Sequence, residues 1–299
     1  MNRPVQHPVQ GFLAALGAVA VLSIMDAVMK HLVLAIGLVA VSVWRSAANF
    51  LFSAILYLPR RSFWPDRRTL RVHVVRSVDV MVMAALFFWG IARVPLAQAI
   101  ALTFIAPLLA MVLAAATLGE RIDSRSVAGA LGAFAGVILI VIGEARASVG
   151  GEVMLGIAAI LGSALCYAAN IVLMRHQALA AKPLEINFFQ SSTVLLLWLL
   201  ALAVTGGPQG PGNEWAWILL AAALSTCGTL LFAWGYARGP ATYLAVSEYS
   251  GFLWASALGW LFFHEKVTLA TLAGAILIVG GCLFGARPRR LPPEIEVAA

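Results

Sequence analysis

The sequence predicts an all-α integral membrane protein of ten transmembrane helices, arranged as two inverted five-helix repeats. Three observations carry this. Of the 299 residues, 62% are hydrophobic and 11% charged, with a mean hydropathy of +0.94, too little charge to cover a soluble globule of this length. Apolar stretches of about 20 residues, the length that spans a bilayer core, recur at 11–31, 38–58, 73–92, 96–117, 126–143, 154–175, 185–205, 215–236, 241–263 and 268–286. Finally, the chain repeats itself at an offset of 145: Trp89-Gly90-Ile91-Ala92-Arg93-Val94-Pro95 returns as Trp234-Gly235-Tyr236-Ala237-Arg238-Gly239-Pro240, and Glu120 returns as Glu265. The same offset pairs Gly11 with Gly156, Gly17 with Gly162, His31 with His176, Gly129 with Gly274 and Gly136 with Gly281.

The first apolar run follows Arg3 and His7 and resembles a secretory signal, but no cleavage-site pattern succeeds it, so it is expected to remain as the first helix. Segments two and three are joined by the charged turn Pro59-Arg60-Arg61-Ser62-Phe63-Trp64-Pro65-Asp66-Arg67-Arg68. Segments seven and eight are joined by the uncharged Gly206-Gly207-Pro208-Gln209-Gly210-Pro211-Gly212. No connection is long enough to fold as its own domain, so the repeats occupy 11–143 and 154–286, followed by a tail at 287–299. Positive clusters around Arg60, Arg67, Arg121, Arg238 and Arg287 fall on the side of the N-terminus, while Lys30, Arg93, Arg146 and Lys266 fall on the other. By the positive-inside bias both termini are expected in the cytoplasm. An odd number of helices per repeat then inserts the second copy upside down, as in many secondary transporters whose substrate site lies near the midplane between repeats.

Several function classes are excluded by what the sequence lacks. No phosphate-binding G-x-x-x-x-G-K-[ST] loop occurs, and His264-Glu265 lacks the second histidine of a zinc-protease helix. No nucleophile and base face each other recognisably, so no catalytic residue, metal site or cofactor is expected, and the chain is not expected to be an enzyme. The net charge of +7 sits in short clusters between apolar segments, which fits topology and not nucleic acid. Cys166, Cys227 and Cys282 each lie in an apolar segment and read as small buried residues.

Polar groups inside hydrocarbon are costly and so mark a pathway. Glu248 stands within the ninth segment, in Tyr243-Leu244-Ala245-Val246-Ser247-Glu248-Tyr249-Ser250-Gly251, where a carboxyl suits proton coupling or an ammonium ligand unless it is hydrated near the inner face. Its counterpart in the first repeat is Thr103, and such divergence is what an asymmetric ligand requires. Trp89, Trp234, Tyr167, Tyr243, Tyr249 and Trp254 are expected around a cavity for an apolar, aromatic or cationic solute, with core or lipid-facing packing as the competing role. Asn170, Gln190 and Gln98 add hydrogen-bonding capacity. Asp26 and Lys30, four apart, are expected to meet on one helix face and to recruit Arg45 in a structural ion network or an outer gate. Arg76 and Asp79 invite the structural reading. Pro107 is either a hinge for a gating helix or a packing feature, and Phe252 replaces it in the second copy. Gly129, Gly132 and Gly136, mirrored by Gly274 and Gly281, form ridges for close helix contact, within the chain or in a dimer. Glu120 and Glu265 precede helices five and ten and are expected to accept hydrogen bonds at a helix start.

Leu118-Gly119-Glu120-Arg121 followed by Gly129-Ala130 and an apolar run to Gly143 resembles the signature of the EamA family of the drug/metabolite transporter superfamily, and Phe263-His264-Glu265-Lys266 with Gly274-Ala275 resembles a second copy lacking the glycine. The resemblance covers nearly the whole chain, with a general likeness to YddG-type bacterial amino-acid and metabolite exporters. It implies a central cavity between the repeats and ATP-independent movement of small organic metabolites across a bacterial inner membrane. The expected partners are thus a small-molecule substrate, the lipid bilayer and protons, with no nucleic acid, in a monomer or homodimer. Export of aromatic or amphipathic amino acids is the leading expectation. Uptake of a vitamin or nucleoside-like metabolite, and a non-transporting membrane sensor or assembly subunit, are the alternatives.

Overall fold

The computed structural model describes residues 8–60, 64–106, 109–110, 112–113, 124–147, 151–205, 210–236 and 245–285. Among these the chain forms ten α-helices and no strand: α1 (Pro8–Ile36), α2 (Leu38–Tyr57), α3 (Arg67–Ile91), α4 (Leu96–Thr103), α5 (Ser124–Ala147), α6 (Gly151–Ala180), α7 (Pro183–Thr205), α8 (Trp215–Tyr236), α9 (Gly251–Phe263) and α10 (Leu269–Gly285). Short 3-10 turns cover Leu58–Arg60 and Ala245–Ser250. Among the described residues six helices are long and apolar enough to cross a membrane, those containing Val9–Ile36, Leu38–Arg60, Arg67–Ile91, Gly151–Asn170, Leu184–Thr205 and Trp215–Phe232.

Local chemistry sets the helix ends. Gly37 separates α1 from α2 at φ 83°, ψ 157°, a region open essentially to glycine alone. Asp66 opens α3 by accepting the Thr69 amide at 2.9 Å. At the end of α4 the amides of Phe104 and Ile105 bond three residues back, to Ala101 and Leu102, which tightens the last turn. The expected hinge Pro107 lies outside the described residues, as do Tyr243, Glu120 and the 287–299 tail.

Large apolar side chains such as Leu51, Ile55, Val204, Leu230, Leu253 and Trp260 face outward, whereas Lys30, His73, Arg76, Gln98, Asn170 and Gln177 are buried. This distribution suits a hydrocarbon solvent, in which polar groups must find partners inside the protein. The packing respects the sequence repeat. α2 lies on α7, α4 on α9 and α5 on α10, each pair mapping onto itself under the offset; α1 on α8 maps onto α6 on α3. At the α5–α10 seam, a Cβ added to Gly136 would come within 2.5 Å of the Gly274 carbonyl, and one added to Gly281 within 2.5 Å of the Gly129 carbonyl. Partner numbers fall along α10 as they rise along α5, so these two equivalent helices run antiparallel. The glycine ridges are therefore used within the chain.

Candidate functional site

Lys30 does not pair with Asp26. Its buried ammonium donates to the Val94 carbonyl at 2.8 Å and to the Glu265 carboxylate. The second Glu265 oxygen accepts the Leu96 amide at 2.7 Å. That amide opens α4, so Glu265 caps a helix of the other repeat instead of α10, which follows it. One carboxylate thus ties the end of α1, the start of α4 and the α9–α10 link. Among the described residues Asp26 and Arg45 form no ion pair, and the Arg45 guanidinium lies 5.1 Å over the Phe88 ring. The helical spacing favoured Asp26, but a buried ammonium is best stabilised by a contact that also satisfies its other hydrogen-bonding protons.

The ninth segment is not continuous α-helix. Glu248 lies in the 3-10 turn Ala245–Ser250, which packs on α1 before α9 begins at Gly251. The Tyr249 ring meets Phe104 edge-on, with centroids 5.2 Å apart. These two residues are one offset of 145 apart, so each touches its own equivalent in the repeat. Thr103 and Glu248 are the residues just before them. Thr103 spends its hydroxyl on the Ile100 carbonyl at 2.7 Å. α6 packs on α4, the helix that ends at Thr103 beside this centre.

The other expected residues divide. Asn170 accepts from Arg76 at 2.8 Å. Gln98 is buried with both amide atoms lacking a hydrogen-bond partner, and with Ser256, Glu265 and Thr271 it lines a void about the size of one water, near 10 Å³. Trp89 is covered by the Arg93 guanidinium at 3.5 Å, and Arg93 bonds Glu152 at 2.8 Å. Trp234 joins Phe52, Cys227, Leu230 and Leu231 around an open, almost wholly apolar groove of about 650 Å³, to which none of the residues around Glu248 contributes. Trp254 is partly exposed on α9, and Gln190 is half-buried on α7.

One cluster was missed. Arg76 donates through Nε to Asn170 and through Nη1 to the Gln177 carbonyl oxygen, the latter at 2.5 Å. With its oxygen so engaged, Gln177 donates through Nε2 to His73 Nδ1 at 2.6 Å. Nδ1 is then the bare nitrogen, and the ring proton on Nε2 goes to Glu185 at 3.2 Å. Phe189 stacks on the fully buried His73 ring at 5.1 Å. The sequence does carry a signal for this: Ser163, Asn170 and Gln177 stand seven apart on α6, one polar stripe in an apolar helix, and all three are buried against α3.

A model of the EamA-like transporter family matches residues 9–142 and again 154–286. The pseudopaline exporter CntI of Pseudomonas aeruginosa strain UCBPP-PA14 is 26% identical over 282 residues, covering 94% of this chain and 97% of the relative. A riboflavin transporter of Rhizobium johnstonii is 28% identical over 253 residues, covering 81% of this chain and 78% of the relative. A solved crystal structure superposes with a TM-score of 0.59 at 21% identity, covering 93% of this chain and 95% of that one, a likeness of fold alone.

Proposed function

Because the chain belongs to the EamA-like transporter family, within the drug/metabolite transporter superfamily, we propose that it is a secondary transporter exporting small organic metabolites, foremost aromatic or amphipathic amino acids, by alternating access. The observation that carries this reading is the contact of Phe104 with its equivalent Tyr249, beside a Glu248 held in non-α backbone. Broken helices meeting at a repeat interface are where secondary transporters bind solutes. Glu248 and Tyr249 then face the solute together with Tyr167, while Asn170 is engaged by Arg76. The antiparallel run of α5 against α10 supports inverted repeats at 11–143 and 154–286.

With both termini in the cytoplasm of a bacterial inner membrane, Lys30 and Glu265 act as an outer gate, closed in this state. Glu248 couples export to protons. The glycine ridges are consumed within the chain, which supports a monomer. An exporter among the relatives favours outward movement; the riboflavin transporter supports a second reading, passage of a vitamin-like metabolite.

Flux of labelled amino acids from proteoliposomes tests the reading. Saturable efflux is expected, with Glu248→Gln losing its response to a pH gradient while remaining folded. If folded protein moves none of the amino acids or vitamins tried, transport falls and the sensor or assembly alternative takes its place.

A further inference from the structure

Arg76 is buried within the membrane-spanning part of α3, 8% exposed. Its hydrogen bonds go to two neutral amides, and among the described residues no carboxylate lies within ion-pair distance of it. A buried guanidinium without a contacting anion is costly, and its Nη2 end makes no hydrogen bond among the described residues. The bracing is thorough: Asn170 and Gln177 fix two nitrogens, Gln177 is held by His73, and His73 by Glu185. Rigid backing of this kind presents the remaining edge in one orientation, the arrangement that suits bidentate recognition of a carboxylate.

Asp79 stands one helical turn further along the same helix. Its Oδ2 is buried and has no hydrogen-bond partner. Among the described residues the two side chains make no ion pair with each other. α3 therefore carries an unspent cation and an unspent anion a turn apart, both toward α6. The α3–α6 hydrogen bonds bracket Asp79: Arg76 donates to Asn170 and the Met83 carbonyl accepts from Ser163, which puts Asp79 at the level of Cys166, the neighbour in sequence of Tyr167. α6 packs on α4 as well as on α3, so it runs from the charged pair to the helix that carries Thr103.

We propose that Arg76 and Asp79 form the head-group subsite of this transporter, Arg76 taking the carboxylate and Asp79 the ammonium of an ampholytic substrate. This rests on the transport reading above and narrows its substrate to molecules carrying an ammonium and a carboxylate on one carbon. The body of the solute then extends toward Tyr167 and the Phe104–Tyr249 contact. His73, Gln177 and Asn170 position Arg76 without touching the solute.

The test uses the purified full-length protein and three sets of probes: the proteinogenic amino acids, their decarboxylated amines and their deaminated acids. Thermal stabilisation and competition give the affinities. At least one amino acid should bind about 10–100-fold more tightly than either of its singly charged counterparts, the scale of one charge-assisted hydrogen bond. Asp79→Asn should bring that amino acid and its deaminated acid close to parity. Arg76→Gln should do the same for the amino acid and its amine, and Arg76→Lys should keep partial discrimination. Should Arg76→Gln fail to fold, the near-isosteric Asp79→Asn alone decides. Unchanged discrimination in folded variants, or stabilisation by no ampholyte, overturns the subsite. Flux of neutral solutes with no ampholyte binding would do so while leaving transport intact; absence of flux for every solute removes the transport reading itself.

Discussion

Phe104 and Tyr249 hold the same place in the two repeats, and their rings touch edge to face at 5.2 Å. The pair therefore couples the halves directly: in a double-mutant cycle of Phe104→Ala and Tyr249→Ala, read by unfolding in detergent, the coupling should be about 0.5–1.5 kcal/mol. Strict additivity would deny the contact.

Lys30 and Glu265 should behave as a closed pair. Lys30→Met leaves the carboxylate with only the Leu96 amide, and Glu265→Gln leaves a buried ammonium facing neutral acceptors alone. Each single change should cost about 3–5 kcal/mol, and the double change less than their sum. Unfolding free energies in detergent give the comparison; equal costs for single and additive double changes would mean that the two ends act independently.

The glycine seam is a steric prediction. Gly136→Ala places a methyl against the Gly274 carbonyl and Ile278, so helix–helix spacing must open, at about 1–3 kcal/mol. Gly17→Ala meets nothing within 4 Å and should leave stability unchanged or raise it by up to about 1 kcal/mol through helix propensity. Thermal unfolding of the two variants side by side would reveal whether the seam is as tight as it stands.

Asp66 lies outside the membrane-spanning helices. Hydrogen bonds from Thr69, then the charge of Arg68, hold its carboxyl below the usual range. A folded value below the unfolded one, about 3.9, means the cap's contribution is complete above the unfolded value and is lost as pH falls through the folded one. Asp66→Asn keeps a capping oxygen without the charge. Melting temperatures measured between about pH 3 and 7 should therefore fall more steeply in the wild type than in Asp66→Asn; parallel curves would remove Asp66 from the acid response.

The features legible in the sequence were those written in one dimension. Helix lengths follow from apolar runs, the repeat from register, and the α5–α10 ridges from glycine spacing. The helix ends at Gly37 and Asp66 were not read from the sequence, because they depend on one backbone conformation and one capping hydrogen bond. What hydropathy does not record is a change in backbone hydrogen bonding, so the 3-10 turn around Glu248 was expected as plain helix. Nor does spacing within one helix reveal partners on another: Lys30 reaches Glu265, 235 residues away, past an acid one turn back. Arg76 and Asp79 looked like each other's partners for the same reason. The polar stripe on α6 was visible, but its meaning depended on α3 facing it.

The seam also dictates an order of assembly. α5 leaves the ribosome early, whereas Gly274 and Gly281 belong to the last helix described. At about 5–20 residues per second, the groove on α5 waits on the order of ten seconds for the helix that fills it. Without α10 the Gly129–Gly136 face of α5 has no partner to fill it, which makes chain termination before α10 more damaging than its distance from Glu248 suggests.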